Sequence, residues 1–302
     1  MVARERAWHP DHPVDVVATL MPLRRGSGDP TFRITADGAV WRTAPTPDGP
    51  STYRLTVSGG AVTMTAWGPG AGWVLDRLPR LFGDGHDCAD VRLDHPRLRD
   101  AAARHPGVRT PATGLVMESL AAAVLEQKVT GRQARESWRT LLHWYGEPAP
   151  GPAPPGMRVA PTVDVWRRIP SWSWHRAGVD GKRAQTLVSA ARVAERLEKC
   201  AQLGREEAER RLRSVPGVGV WTAAEVAQRA LGDCDAVSFG DFHVPAFVGW
   251  ALAGRPVDDD GLAQLLEPYR PHRCRIVRLL QLSGFRKPKF GPRMTIADYR
   301  AI

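Results

Sequence analysis

Val215-Pro-Gly-Val-Gly-Val-Trp-Thr-Ala223 stands between two stretches of helical patterning, a short charged one over Arg205 to Ser214 and an apolar one over Trp221 to Leu231. Two glycines this close together make a tight turn through Pro216, Gly217, Val218, Gly219 and Val220, with Thr222 in the first turn of the helix that follows. Such a turn leaves the first amide N–H groups of that helix facing outward, where they and the helix dipole favour an anion such as a phosphate. It grips a nucleic-acid backbone without reading sequence. The same residues also suit a plain helix-to-helix turn. What separates the two readings comes next: Gly232-Asp-Cys-Asp-Ala-Val-Ser-Phe-Gly-Asp241 is a loop that ends in an acid immediately before another apolar helix, Phe242 to Leu252.

Working outward, Gly114 to Gln127 places Val116, Leu120, Ala123, Val124 and Gln127 at helical spacing. Thr130 to Tyr145 does the same with Trp138, Leu141, Leu142 and Tyr145, so two helices meet near Val129. Arg183 to Glu198 carries Leu187, Ala190, Ala191, Ala194 and Leu197 on one stripe. Between these, residues 146–162 hold six prolines and three glycines and read as an exposed connection, a long loop inside one helical body. Near the start the pattern changes to alternation: Phe32 to Ile34, Ala39 to Trp41, Tyr53 to Val57 and Val62 to Thr65 read as strands separated by Asp-Gly and Gly-Gly turns. The expectation is a mostly α chain, with a small strand-rich α+β domain over 1–95 and a helical domain over 96–302 that contains the hairpin at about 206–231.

Hydrophobic residues make up 43% and charged residues 25%, proportions that exclude a disordered tail. Lys and Arg (42) exceed Asp and Glu (32) by 10, a positive field that favours a polyanionic partner. The polar, proline-bearing start and the absence of any long apolar run predict a cytoplasmic protein with no membrane contact. Cys88, Cys200, Cys234 and Cys274 are scattered, with no C-x-x-C pair, which predicts free thiols and neither a zinc site nor a disulfide framework.

The hairpin, the Arg229-Ala-Leu-Gly-Asp-Cys-Asp-Ala236 stretch and Gly240-Asp241 together resemble the helix-hairpin-helix DNA glycosylases, whose signature is hairpin, Gly/Pro-rich loop and aspartate. Within that superfamily the chain is most similar to the bacterial 3-methyladenine DNA glycosylase II branch, with support from Val124-Leu-Glu-Gln-Lys-Val-Thr130 and Tyr269-Arg-Pro-His-Arg273. The resemblance covers roughly Arg97 to Gly284; the strand-rich first third matches only loosely. It implies two helical subdomains flanking an active-site cleft, a monomer, and a partner that is double-stranded DNA containing a damaged base. Members that also cleave the sugar-phosphate chain carry a nucleophilic lysine where this chain has Trp221, and a tryptophan forms no Schiff base, so a monofunctional, hydrolytic reaction is implied. Members with an iron-sulfur cluster need four closely spaced cysteines near the C-terminus; only Cys274 lies there, and no cluster is expected.

The resemblance assigns roles residue by residue. Asp241 is the catalytic carboxylate, set beneath the deoxyribose to stabilise an oxocarbenium-like charge as an alkylated, cationic base departs. Its competing reading is the N-cap of the helix that follows. Trp221 is a stacking wall for the flipped base; Glu225 and Gln281 stand where better-known members place further aromatics, which points to a more polar pocket. Gln127 and Lys128 occupy the helix junction that fills the gap left by the flipped base, with a lysine where an apolar wedge is common. Backbone carbonyls of Arg213, Val215 and Val218 would hold a sodium or potassium ion that anchors DNA, and no cofactor is needed for catalysis. Arg270, Arg273, Arg275 and Arg278 read as a solvated face. Two other readings stay open: a non-catalytic DNA-binding module that retains the hairpin, and a bifunctional glycosylase/lyase working through a lysine such as Lys128.

Overall fold

A computed structural model describes residues 2–83 and 91–288; Cys88 lies outside them. Five strands, β1 (Arg4–Trp8), β2 (Phe32–Ile34), β3 (Val40–Thr46), β4 (Gly49–Ser58) and β5 (Ala61–Trp67), form one antiparallel sheet in the order β1-β5-β4-β3-β2. β1 is absent from the sequence reading. Its residues are charged or exposed for the most part, and it is recognisable only by its pairing with β5, Arg4 opposite Ala66 through Trp8 opposite Val62. One face of the sheet buries Phe32, Val40, Tyr53, Leu55 and Met64 against the short helices Ala71–Asp76 and Leu78–Leu81.

The other face carries Trp41 stacked on Trp67, centroids 5.4 Å apart. Residues 146–162 run over this pair, and the expected exposed connection is only partly so: Glu147, Pro148, Gly151, Pro152, Pro155 and Gly156 are exposed, while the segment's other apolar side chains are packed. Met157 is buried against the two indoles with Ala149 and Ala153 beside it, Glu147–Pro148 pairs with Arg158–Val159, and Arg158 N donates to Pro30 O at 2.8 Å. Proline has no N–H to satisfy, so a proline-rich segment can lie on an apolar surface with few backbone donors left unmet.

The longer helices are α1 (Pro96–Arg104), α2 (Val116–Glu126), α3 (Gly131–Tyr145), α4 (Gly181–Arg192), α5 (Arg205–Arg213), α6 (Val220–Val226), α7 (Val244–Ala253), α8 (Asp259–Leu266) and α9 (Arg273–Leu282). They bury two separate apolar clusters, one formed by α2 to α6 and one by α1, α7, α8 and α9. α2, mostly apolar, is buried from Val116 to Leu125 with Glu118 and Ser119 included, and packs against α3, α4 and α6. The stripe read as one helix from Arg183 to Glu198 breaks at Val193, which leaves the helical basin (φ −117°, ψ 21°) and lets Ala194–Glu198 turn Ala194 and Leu197 into the core. α6 runs on through Ala227–Leu231 as a wider π-helical turn that stops at left-handed Gly232. The chain then crosses from the first helical cluster to the second through residues 232–241, the segment that carries the acid.

The sheet is tied to the first cluster by buried polar bonds. Arg42 pairs with Glu118 of α2, Arg25 with Glu126 at 2.9 Å, and Trp138 of α3 donates to Asp29 at 3.1 Å. No helix among the described residues is long and apolar enough to cross a membrane.

Candidate active site

The hairpin turns where the glycines predict. Gly217 has φ +88°, and a Cβ there would collide with Thr186 Oγ1 on α4, so both the backbone and the space require glycine. Val218 N donates to Val215 O at 3.0 Å and tightens the turn. Gly219 is the N-cap of α6 with no side-chain cap, and a Cβ built on it meets nothing within 4 Å. The amides of Val220 and Trp221, the first of α6, donate to no acceptor among the described residues, as an anion-binding helix start requires. Gly217→Ala is expected to destabilise the fold by about 1–3 kcal/mol, through the left-handed backbone and the Thr186 contact, and to weaken DNA binding with it. Urea unfolding and equilibrium binding measured on the same variant check both effects.

Thr222 is corrected by its burial. At 2% exposure it does not face outward; its Oγ1 accepts from Gln127 Nε2 at 2.8 Å, and the same amide donates to Gly217 O at 3.0 Å. Gln127 thus joins the end of α2 to the hairpin. Lys128 follows it, exposed and with φ +53°, the only non-glycine among the described residues in the left-handed region. That conformation costs roughly 1–2 kcal/mol. It is held from both sides, by the Gln127 bonds and by a capping box in which Thr130 and Gln133 satisfy each other ahead of α3.

The carbonyl set for a monovalent ion has the right chemistry. The oxygens of Arg213 and Val218 accept no hydrogen bond from the described residues, and Val215 O, which accepts from Val218 N, keeps a second lone pair.

Asp241 is half-buried at the end of the crossing loop. Its Oδ2 accepts from the indole Nε1 of Trp221 at 3.0 Å, while its Oδ1 accepts from the backbone of His243 at 2.7 Å and Val244 at 2.9 Å. One oxygen of the carboxylate therefore holds the turn into the next helix, and the other meets Trp221. α7 begins at Val244 and not at Phe242, because Asp241 holds the intervening turn and Pro245 enters in the first helical turn. Trp221 packs on the first cluster and uses its N–H on the acid, which fixes the ring. Gly240, at φ +83°, turns the chain into Asp241, and its N–H donates to Asp259 at 2.9 Å. Phe242 stands beside the acid at 84% exposure, edge-on to His243. Sequence reading put it inside a helix and missed it; an aromatic directly after the acid was the available signal.

Glu225 and Gln281 do not join this cluster. Glu225 is buried, accepts from Ser238 Oγ at 2.6 Å and pairs with Arg229 at 2.8 Å. Burial disfavours the Arg229 charge, but Glu225, together with Glu126 and other neighbours, outweighs it and raises the pKa of that guanidinium. Gln281 is exposed on α9 and accepts from Arg278 at 3.4 Å. The arginines near α9 are not one solvated face either. Arg273 is buried on Asp235, and Arg278 donates to Ala18 O at 2.8 Å, because each finds an acceptor in another part of the chain.

No family model matches the sequence. Over 166 residues, 55% of this chain, it is 30% identical to a probable bifunctional transcriptional activator/DNA repair enzyme AlkA of Mycobacterium tuberculosis, in each of two strains. The matched stretch is 33% of that protein, so the chain spans about a third of the length of the curated relatives it matches. Among solved structures, a 3-methyladenine DNA glycosylase from Archaeoglobus fulgidus superposes with a TM-score of 0.74 at 19% identity, covering 93% of this chain and 98% of that one. An 8-oxoguanine glycosylase/lyase of Clostridium acetobutylicum in its apo form superposes with a TM-score of 0.68 at 13% identity, covering 94% and 99%. The chain therefore has the fold of the helix-hairpin-helix DNA glycosylases, and its resemblance to that superfamily and to the 3-methyladenine branch is borne out.

Proposed function

We propose that this chain is a monofunctional DNA glycosylase that hydrolyses the N-glycosidic bond of alkylated bases, of the 3-methyladenine and 7-methylguanine class, after flipping the base out of double-stranded DNA to begin excision repair. The observation that carries the reading is the Asp241 carboxylate, pinned through Oδ1 by two backbone N–H groups and through Oδ2 by Trp221, at the exit of the loop that follows the hairpin.

Alkylation at a ring nitrogen makes the base a good leaving group, so the enzyme has mainly to stabilise positive charge on the sugar and admit water to its far face. A carboxylate held by three donors does the first without moving. Trp221, with its N–H committed, offers its ring face to the flipped base, and exposed Phe242 lies next to the acid as a second apolar surface. The open amides of α6 hold a phosphate, and Lys128, on its left-handed backbone, reaches into the gap the base leaves. A monovalent ion on the carbonyls of Arg213, Val215 and Val218 would add positive charge at the DNA backbone. None of the donors to Asp241 is an amine, which favours hydrolysis over imine chemistry.

Incubation with methylated duplex DNA, followed by mass analysis of the released bases, is expected to show free methylpurines. Borohydride treatment during turnover on abasic-site DNA is expected to trap no covalent adduct. Failure to release any methylated base would end the glycosylase reading, and a trapped adduct would end the hydrolytic one.

A further inference from the structure

A second concave site lies between the loop Gly26-Ser27-Gly28 and α3, in a cleft of about 330 Å³ lined by Arg25, Arg132, Arg135, Glu136 and Arg139. The two glycines are what let the helix arginines lie across the loop. A Cβ on Gly26 would collide with Arg135 Cδ, and one on Gly28 would stand 2.8 Å from Arg139 Nη1. Gly26 is also left-handed, at φ +84°.

The negative charge nearby is already taken. Asp29 is fully buried and accepts from Arg25 N, Thr31 N, Thr31 Oγ1 and Trp138 Nε1. Glu136 pairs with Arg132 at 3.0 Å, and Glu126 with Arg25 at 2.9 Å. Arg135 and Arg139 make no ion pair or hydrogen bond with the described residues. Two of the loop's three carbonyls are occupied: Gly26 O accepts from Arg24 Nε at 3.1 Å and from Asp29 N at 3.3 Å, and Ser27 O accepts from Arg33 Nη1 at 3.4 Å. The amides of Gly26, Ser27 and Gly28 donate to no acceptor among the described residues. Two uncommitted guanidiniums and a run of uncommitted amides line one cleft, the donor set of an oxyanion site.

We propose that this cleft is a second phosphate-binding site for the DNA backbone, built jointly by the loop ahead of β2 and by α3; it rests on the reading of the chain as a DNA-binding enzyme. Its place relative to the hairpin argues for DNA over a free anion. Gln127 touches the hairpin, Lys128 follows, and α3 starts at Gly131, so Arg135 and Arg139 lie one and two turns beyond the junction. The two are about 6 Å apart along the helix axis, a spacing suited to successive phosphates on one strand. The site would extend the hairpin's grip past the flipped base and give the strand-rich part of the chain a share in DNA binding.

The test is equilibrium binding of the full chain to an undamaged duplex across a salt series. The double variant Arg135→Ala/Arg139→Ala is expected to lower the slope of log Kd against log salt by about 2, near 0.9 per lost phosphate, and to weaken binding on the order of tenfold at low salt. Ser27→Glu, which places a negative charge at the exposed loop tip, is expected to weaken binding similarly, whereas Ser27→Ala is not. All three side chains are exposed, so urea midpoints should match the parent and exclude misfolding as the cause. A parental salt slope in the double variant, or parental binding by Ser27→Glu, overturns the proposal. Because the duplex is undamaged, a loss of slope supports this site even if no base is ever released. Base release with an unchanged slope refutes the site while leaving the glycosylase reading intact.

Discussion

Asp241→Asn is expected to lower the single-turnover rate of base release by on the order of 10²–10³-fold while salt-sensitive DNA binding persists. The carboxamide oxygen can still accept from His243 and Val244 and so keep the start of α7. Its amide then turns a donor toward the Trp221 N–H, where the parent has an acceptor, and the negative charge proposed to stabilise the sugar is gone. The fold should change little, since the cap survives and the residue is only half-buried. Release of methylpurines by this variant at the parental rate would show that Asp241 serves α7 alone and that another group stabilises the sugar cation.

The parts of this site that are local in sequence were legible. Gly217 announces the turn because only a residue without Cβ takes φ +88° against Thr186, and Thr130 with Gln133 marks the start of α3. What remained hidden depends on partners far along the chain. The Trp221 to Asp241 bond joins residues 20 apart, and Gln127 reaches Thr222 across 95. The same distance effect explains the misread pieces. β1 exists because β5 offers it an edge, and the proline-rich segment packs because Trp41 and Trp67 leave an apolar face uncovered. A charged residue on an amphipathic pattern reads as wet unless its partner is known, which puts Arg273 on a surface, and the resemblance alone puts Glu225 in a pocket, although both are buried in ion pairs.

Asp235 shows what such a hidden partner does for the site. It is buried at 1% exposure in the loop that delivers Asp241, and it accepts from Arg273 N at 3.1 Å, Arg273 Nε and Nη2 at 2.8 Å each, and Arg205 Nη1 at 2.7 Å. Arg205 opens α5 and Arg273 opens α9, so one carboxylate ties the two helical clusters to the loop between them. Asp235→Ala leaves Arg273 buried without its counter-charge and is expected to cost about 3–5 kcal/mol by urea unfolding. Burial alone would raise the Asp235 pKa, but the Arg273 hydrogen bonds and the charges of Arg273 and Arg205 outweigh it and hold the value below the ordinary 3.8. A carboxylate depressed in the folded state contributes its full stability above the unfolded pKa and loses it as pH falls through the folded one. The deficit of Asp235→Ala against the parent should therefore be constant from about pH 5 to 8 and shrink only below about pH 4. A deficit that shrinks already near neutrality would place the stabilising charge on another group. Because Gly240 and Asp241 hang from the same loop, base release in Asp235→Ala should fall even at temperatures where the fold persists, by loosening the carboxylate and not by removing it.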